Sequence, residues 1–335
     1  MKLSRKLLFP FVPLYYAATC LRNSLYDFGL KTSKSYNFPV ICVGNLSVGG
    51  TGKTPMIEYL IRFLKEDYKV ATLSRGYKRK SKGFQLADAH TTVDSIGDEP
   101  FQFYTKFQDR IKVAVDANRQ EGIEALRALE NPPEIILLDD AFQHRKVKAG
   151  FNIVLTMYHD LYTDDMLLPA GNLRESIRGS KRAHVIIVTK CPSNLTDLNK
   201  KTIIKKLKPQ PHQQVFFSSI AYADEVIALN GKKRIDALPP VTLVTGIANP
   251  KPLEDFLIKK KLTFEHLNFK DHHTFSKQDI ENLNTKPIIV TTEKDFMRLK
   301  HYKALEDSLY YLPIAMHIDD SNKFHTTIKN FISKY

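Results

Sequence analysis

Ser47-Val48-Gly49-Gly50-Thr51-Gly52-Lys53-Thr54 follows the apolar run 38–44 and precedes a helical pattern with Met56, Leu60, Ile61 and Leu64 on one face. Strand, glycine-rich loop and helix in that order form the context of a phosphate-cradling P-loop. The glycines let backbone N–H groups converge on phosphate oxygens, and the following helix adds its positive dipole end. Lys53 is placed to reach the β- and γ-phosphates, and the Thr54 hydroxyl to ligate Mg²⁺. The strict pattern has glycine at position 47, where this chain has Ser47; the Gly-Gly-Thr-Gly-Lys-Thr core is intact. Gly49, Gly50, Thr51, Gly52, Lys53 and Thr54 are therefore expected to bind nucleotide. The plain alternative is a glycine-rich turn followed by a chance Lys-Thr pair.

Outward from this loop, strand-like apolar runs alternate with helical patterns, which predicts a mostly parallel sheet covered by helices. Strands are expected at 40–44, 69–74, 111–115, 134–139, 151–156 and 184–189, with helices at 55–65, 99–107, 119–129 and 197–207. The expected fold class is α/β: a P-loop NTPase-type domain over residues 36–212, then a strand linker over 213–238. A smaller C-terminal α/β domain is expected over 239–335, with strands at 241–246, 264–267, 288–292 and 309–315.

The chain has 335 residues and a formal net charge of +14, which points to an anionic partner. Cys20, Cys42 and Cys191 are too few and too far apart for a disulfide framework or a zinc site. Lys2, Arg5 and Lys6 precede an apolar run over 7–18 that imitates a signal peptide, but Pro10 and Pro13 interrupt it and no A-x-A site follows. The run is too short to span a bilayer. From Leu14 the pattern is helical, with Leu14, Ala18, Leu21, Leu25 and Phe28 on a stripe and Gly29 as a C-terminal stop. Tyr15, Tyr16 and Tyr26 flank the stripe, and Arg22, Lys31 and Lys34 add cations. Residues 1–35 thus suit an amphipathic helix in a membrane interface, or one packed on the protein's own core.

Several further segments carry chemistry. Ile135-Ile136-Leu137-Leu138-Asp139-Asp140 is an apolar strand delivering carboxylates to the sheet's C-terminal edge, as a Mg²⁺-serving aspartate requires. Gln143 and His144 follow on a loop at the same edge. Asp98 and Glu99 adjoin a turn before Pro100, either as helix-capping groups or with one of them as a base near an acceptor hydroxyl. Arg174 and Glu175 end a loop, placed to hold phosphate and metal, or to pair in solvent. Arg75 and Tyr77 follow a strand directly. Asp271-His272 sets an acid beside an imidazole, and Thr292-Glu293-Lys294-Asp295 opens a helix.

These segments, in this order, resemble the tetraacyldisaccharide 4′-kinase family, which phosphorylates a lipid A precursor. The resemblance rests on residues 43–55, Ser74-Arg75-Gly76-Tyr77, Gly97-Asp98-Glu99-Pro100, Leu138-Asp139-Asp140-Ala141-Phe142-Gln143-His144, Leu168-Pro169-Ala170-Gly171, Arg174-Glu175, Asp271-His272 and Thr292-Glu293-Lys294-Asp295. Ala141 departs from the family's usual glycine. The resemblance implies transfer of the γ-phosphoryl group of ATP, with Mg²⁺, to the 4′-hydroxyl of a tetraacylated glucosamine disaccharide 1-phosphate. It implies Asp98 as the base, partnered by His272, and Lys53 on the phosphates. Thr54, Asp139, Asp140 and Glu175 would surround the metal. Arg75, Tyr77, Glu99, Gln143, His144 and Arg174 would contact substrate. It further implies residence on the cytoplasmic face of the inner membrane, with no nucleic acid and no obligate protein partner.

Two other readings share the P-loop. A GTPase-like metal-delivery or regulatory ATPase is suggested by Val188-Thr189-Lys190, a faint guanine-reading loop, but Pro192 stands where an aspartate is expected. A nucleic-acid-binding ATPase is suggested by charge, but the basic residues do not interleave with an aromatic stacking platform.

Overall fold

The computed structural model describes residue 5 and residues 7–335 apart from 193 and 272. Among them, nine strands form one sheet in the order Ile314–Ile318, Gln214–Tyr222, Val185–Thr189, Phe151–Met157, Val40–Asn45, Ile135–Asp139, Val70–Ser74, Lys112–Val115 and Gln85–Leu86. All neighbours pair parallel except at the two edges, where Gln85–Leu86 and Ile314–Ile318 pair antiparallel. Central strands buried on both faces explain the continuous apolar runs of the sequence.

Register aligns the chemistry. Val43 faces Asp139 on one neighbour and Ile153 on the other, so the loops after residues 45 and 139 leave the sheet side by side. In a doubly wound sheet that carboxyl-end crevice is where ligands bind.

A second sheet of six described strands runs in the order Gly231–Arg234, Glu225–Ala228, Leu309–Tyr311, Ile289–Thr291, Val241–Thr245 and Phe264–Asn268. The expected strand over 309–315 is divided. Leu309–Tyr311 joins the second sheet, whereas Ile314–Ile318 pairs with Gln214–Tyr222 in the first. Pro313 falls at the break, and its missing N–H and fixed φ interrupt a ladder there. The final helix Ser321–Ile332 follows its strand back, burying Phe324 and Ile328 in the first sheet's core. The terminal segment placed by sequence in the second domain thus completes the first.

The two sheets share a core. Ile41, Val43, Met56 and Phe103 belong to the same buried cluster as Val244, Ile289, Phe296 and Met297. Helix Glu293–Leu299 packs on helix Asp98–Phe107 at this junction.

The N-terminal helix Val12–Asp27 buries no residue fully. Its inner side is tied down by polar groups: Tyr15 Oη donates to the Arg174 carbonyl at 2.9 Å, Asn23 Nδ2 to Glu175 Oε2 at 2.8 Å, and Arg22 Nη2 to the Gln143 carbonyl at 2.5 Å. Its other side is apolar and open, with Leu14 71% and Phe28 80% exposed.

Candidate active site

Three segments meet at the carboxyl ends of the central strands. The P-loop takes its shape from Gly49 and Gly52, at φ +113° and +93°, left-handed values that glycine adopts without a Cβ clash. Gly52 caps helix Lys53–Leu64, so the helix's unpaired N–H groups face the hollow of the loop. Asn45 Nδ2 donates to Thr51 Oγ1 at 2.7 Å, and Thr189 Oγ1 donates to the Thr51 carbonyl at 2.8 Å. The loop is therefore held in place by residues of two strand ends.

Asp139 ends its strand 2% exposed, with Oδ1 lacking a hydrogen-bond partner. Burial, then the charges of Glu99 and Asp140, push its pKa up to about 7. Asp140 accepts from Arg174 Nη1 at 2.8 Å and lies 3.8 Å from Lys53 Nζ. The following turn lies tight against the first strand: a Cβ on Gly44 would stand 2.5 Å from Phe142 Cβ. Gln143 Nε2 donates to the Asn45 carbonyl at 2.8 Å and to Glu175 Oε1 at 3.1 Å. Burial, then the Arg119 charge, drives the His144 imidazole down to about 4, so it is neutral at pH 7.

Asp98 and Glu99 occupy the first turn of helix Asp98–Phe107, with Gly97 at the cap position. Carboxylates suit a helix N-terminus. Glu99 Oε1 accepts from Thr54 Oγ1 at 3.0 Å and from Lys294 Nζ at 3.0 Å. Burial works to raise its pKa, but the Lys294 and Lys53 charges and the Thr54 hydroxyl hold it below the ordinary carboxylate value. Asp98 Oδ2 accepts from Arg298 Nη2 at 2.5 Å and Nε at 3.2 Å.

The structure thus gathers Lys53, Thr54, Asp98, Glu99, Asp139, Asp140, Gln143 and Arg174 at one edge. Glu99, expected on substrate, sits on the Thr54 hydroxyl. Glu175, expected on the metal, is enclosed instead: Arg182 donates to its two oxygens at 2.9 and 3.0 Å, and Asn23 and Gln143 also donate to it. A Cβ on Gly179 would come within 2.7 Å of its Oε2. Arg174 and Glu175 do not pair with each other; each serves a different neighbour. Arg75 and Tyr77 are exposed on the rim after strand Val70–Ser74. His272, Lys2 and Lys6 lie outside the described residues. His273 is engaged elsewhere, stacked on Phe269 and 3.1 Å from Asp279 Oδ2.

Sequence reasoning missed Arg298 and Arg182, and quoted Asn45 and Lys294 within motifs without giving either a role of its own. Lys294 and Arg298 are four apart on one helix and therefore share a face, a spacing that pointed from the quoted motif to Arg298. Arg182 carried no local signal.

Among the described residues, no three His, Cys, Asp or Glu side chains are grouped as a ready metal cage. Mg²⁺ keeps several waters and needs only one or two carboxylates besides substrate phosphates. The unpartnered buried oxygen of Asp139, close enough to Glu99 and Lys53 for their charges to act on it, fits such an ion.

A sequence profile described as tetraacyldisaccharide-1-P 4′-kinase (LpxK) matches residues 4–333. The tetraacyldisaccharide 4′-kinase of Flavobacterium johnsoniae is 52% identical, covering 100% of this chain and 99% of that protein. The enzyme of the same name from Bacteroides thetaiotaomicron is 45% identical, covering 98% and 93%. The crystal structure of LpxK from Aquifex aeolicus in complex with ATP superposes with a TM-score of 0.78 at 29% identity, covering 98% of this chain and 100% of that one.

Proposed function

The chain belongs to the tetraacyldisaccharide-1-P 4′-kinase family, and on that premise we propose how its residues divide the work of the reaction. It is an ATP-dependent kinase of lipid A biosynthesis, moving the γ-phosphoryl group of ATP to the 4′-hydroxyl of a tetraacylated glucosamine disaccharide 1-phosphate. The reading of its site rests on the buried, unpartnered Asp139 oxygen beside the P-loop.

Phosphoryl transfer leaves a protein mainly positioning and electrostatic work. Amides over 49–52 and the Lys53 ammonium hold the phosphate chain. Asp98 accepts the proton of the 4′-hydroxyl as its oxygen bonds the γ-phosphorus and the bond to the β-phosphate oxygen breaks, releasing ADP. Arg298 and the Asp295 behind it aim the Asp98 carboxylate. Thr54, Asp139 and Glu99 would hold Mg²⁺, which when bound neutralises charge on the phosphate oxygens. Asp140 holds Arg174 and Lys53 in place. Arg75 and Tyr77, on the rim, and the half-buried His144 face the sugar and its 1-phosphate.

The enzyme works on the cytoplasmic face of the inner membrane. The open apolar side of helix Val12–Asp27, together with Leu7, Phe9, Phe11 and Leu30, forms an exposed apolar band; bands of this kind mark contact surfaces. Among the described residues, no helix is long and apolar enough to cross a membrane, so the band suits immersion at the interface. The net charge of +14 favours an anionic leaflet.

The test is incubation with ATP, Mg²⁺ and the disaccharide 1-phosphate lipid, with mass spectrometry of the product. A mass gain of one phosphate at the 4′ position supports the assignment. Hydrolysis of ATP with the lipid unchanged refutes it.

A further inference from the structure

We propose that Lys190 is a phosphate-binding residue of the nucleotide site, a second cation applied to the P-loop at Gly50. The inference builds on the P-loop reading above.

Strand Val185–Thr189 runs beside Phe151–Met157, and its last residue donates from Thr189 Oγ1 to the Thr51 carbonyl. That bond anchors the strand end to the P-loop, and Lys190 is the next residue. A Cβ built on Gly50 would lie 3.9 Å from Lys190 Nζ, so the ammonium rests close to bare loop backbone.

Charge bookkeeping isolates this group. Three lysines stand around the loop. Lys53 lies 3.8 Å from Asp140, and Lys294 pairs with Glu99 at 3.0 Å. Lys190 makes no ion pair or hydrogen bond among the described residues. Its side chain is exposed at the mouth of the loop, and its pKa is lowered, by partial desolvation first and then by the Lys294 charge. A cation without a counterion, beside amides that converge on phosphate, is completed by the phosphate chain of a nucleoside triphosphate. A base-reading role fits less well, because Nζ stands at a glycine whose N–H serves phosphate, and the acid expected two positions later is Pro192.

The experiment measures ATP, ADP and AMP binding to the full chain in detergent, for wild type, Lys190→Gln, Lys190→Arg and Lys53→Ala. Lys190→Gln should weaken ATP and ADP roughly tenfold, the size of one lost charge-assisted contact, and leave AMP nearly unchanged. Lys190→Arg should recover most of the loss. Nucleotide-free protein should melt no lower in any Lys190 variant than in wild type, which separates ligand contact from a structural role. ATP affinity unchanged in Lys190→Gln but lost in Lys53→Ala overturns the inference alone. Equal weakening of ATP and AMP assigns Lys190 to the nucleoside and also overturns it. Unchanged ATP affinity in Lys53→Ala overturns the P-loop reading itself.

Discussion

Arg298 Nη2 donates to Asp98 Oδ2 at 2.5 Å, linking two residues 200 positions apart across the junction of the two sheets. The guanidinium is itself held, since Nη1 reaches Asp295 Oδ1 at 3.2 Å while Asp295 Oδ2 accepts from the Gly246 N–H at 2.8 Å and the Thr292 hydroxyl at 2.7 Å. A carboxylate braced in this way has its orientation fixed, as the base role proposed for Asp98 requires. Arg298→Ala should lower lipid phosphorylation about tenfold or more with little change in KM for ATP, and Arg298→Lys should recover part of it. Asp98→Asn should cost roughly 10²–10⁴-fold, and the double variant should be no slower than Asp98→Asn, because the two act as a unit. Additive losses in steady-state kinetics would separate them.

Asp139→Asn removes a buried carboxylate that has no hydrogen-bond partner for one oxygen. Metal-free stability should rise by about 1 kcal/mol, since a neutral amide is cheaper to bury than a charge. Magnesium-dependent phosphorylation should fall to background. Thermal unfolding with and without ATP and Mg²⁺ checks both effects; equal stabilisation of variant and wild type by the ligands would contradict the metal role.

Leu14 and Phe28 project from the open side of the N-terminal helix, whereas Asn23 faces Glu175. Leu14→Glu with Phe28→Glu should weaken partitioning into anionic vesicles by an order of magnitude or more, the expected result of losing two buried apolar side chains. Asn23→Ala should leave partitioning intact and slow turnover through the Glu175–Arg182 support. Vesicle flotation distinguishes the two sides of the helix, and unchanged flotation of the double Glu variant would detach the helix from the membrane.

His144 titrates near 4 in the folded chain because burial, then Arg119, opposes its charge. The unfolded imidazole takes up its proton near the ordinary value of about 6.5. Between those values the unfolded state binds more protons, so stability falls as pH drops through that window and is constant above it. The contribution is on the order of 1–2 kcal/mol once the solvent share of a half-buried ring is discounted. His144→Gln should flatten the stability profile between pH 6.5 and 4 while leaving the pH 8 value little changed. Denaturant unfolding across that range measures it.

Much of this molecule was readable residue by residue. The six strands expected before residue 190 all form, within a residue or two of their expected limits, because each is a short apolar run bounded by turn residues. The P-loop glycines were legible for a local reason: positive φ and close phosphate approach both exclude a side chain. Asp139 was legible because its apolar strand follows a P-loop in the same sheet; a strand ending in Asp is by itself common. The limit appears at Pro313. A proline announces a break, but not that the two sides of the break join different sheets.

Neighbouring letters thus carried the elements and the nucleotide-binding edge, since backbone preference and apolar periodicity act over a few residues. Which charge meets which was settled by folding. Glu175 goes to Arg182 and Asn23, Glu99 to Thr54 and Lys294, and Asp98 to Arg298. Carboxylates of the same kind acquire different duties according to the cation that packing delivers to within about 3 Å, and no spacing along the chain encodes that encounter.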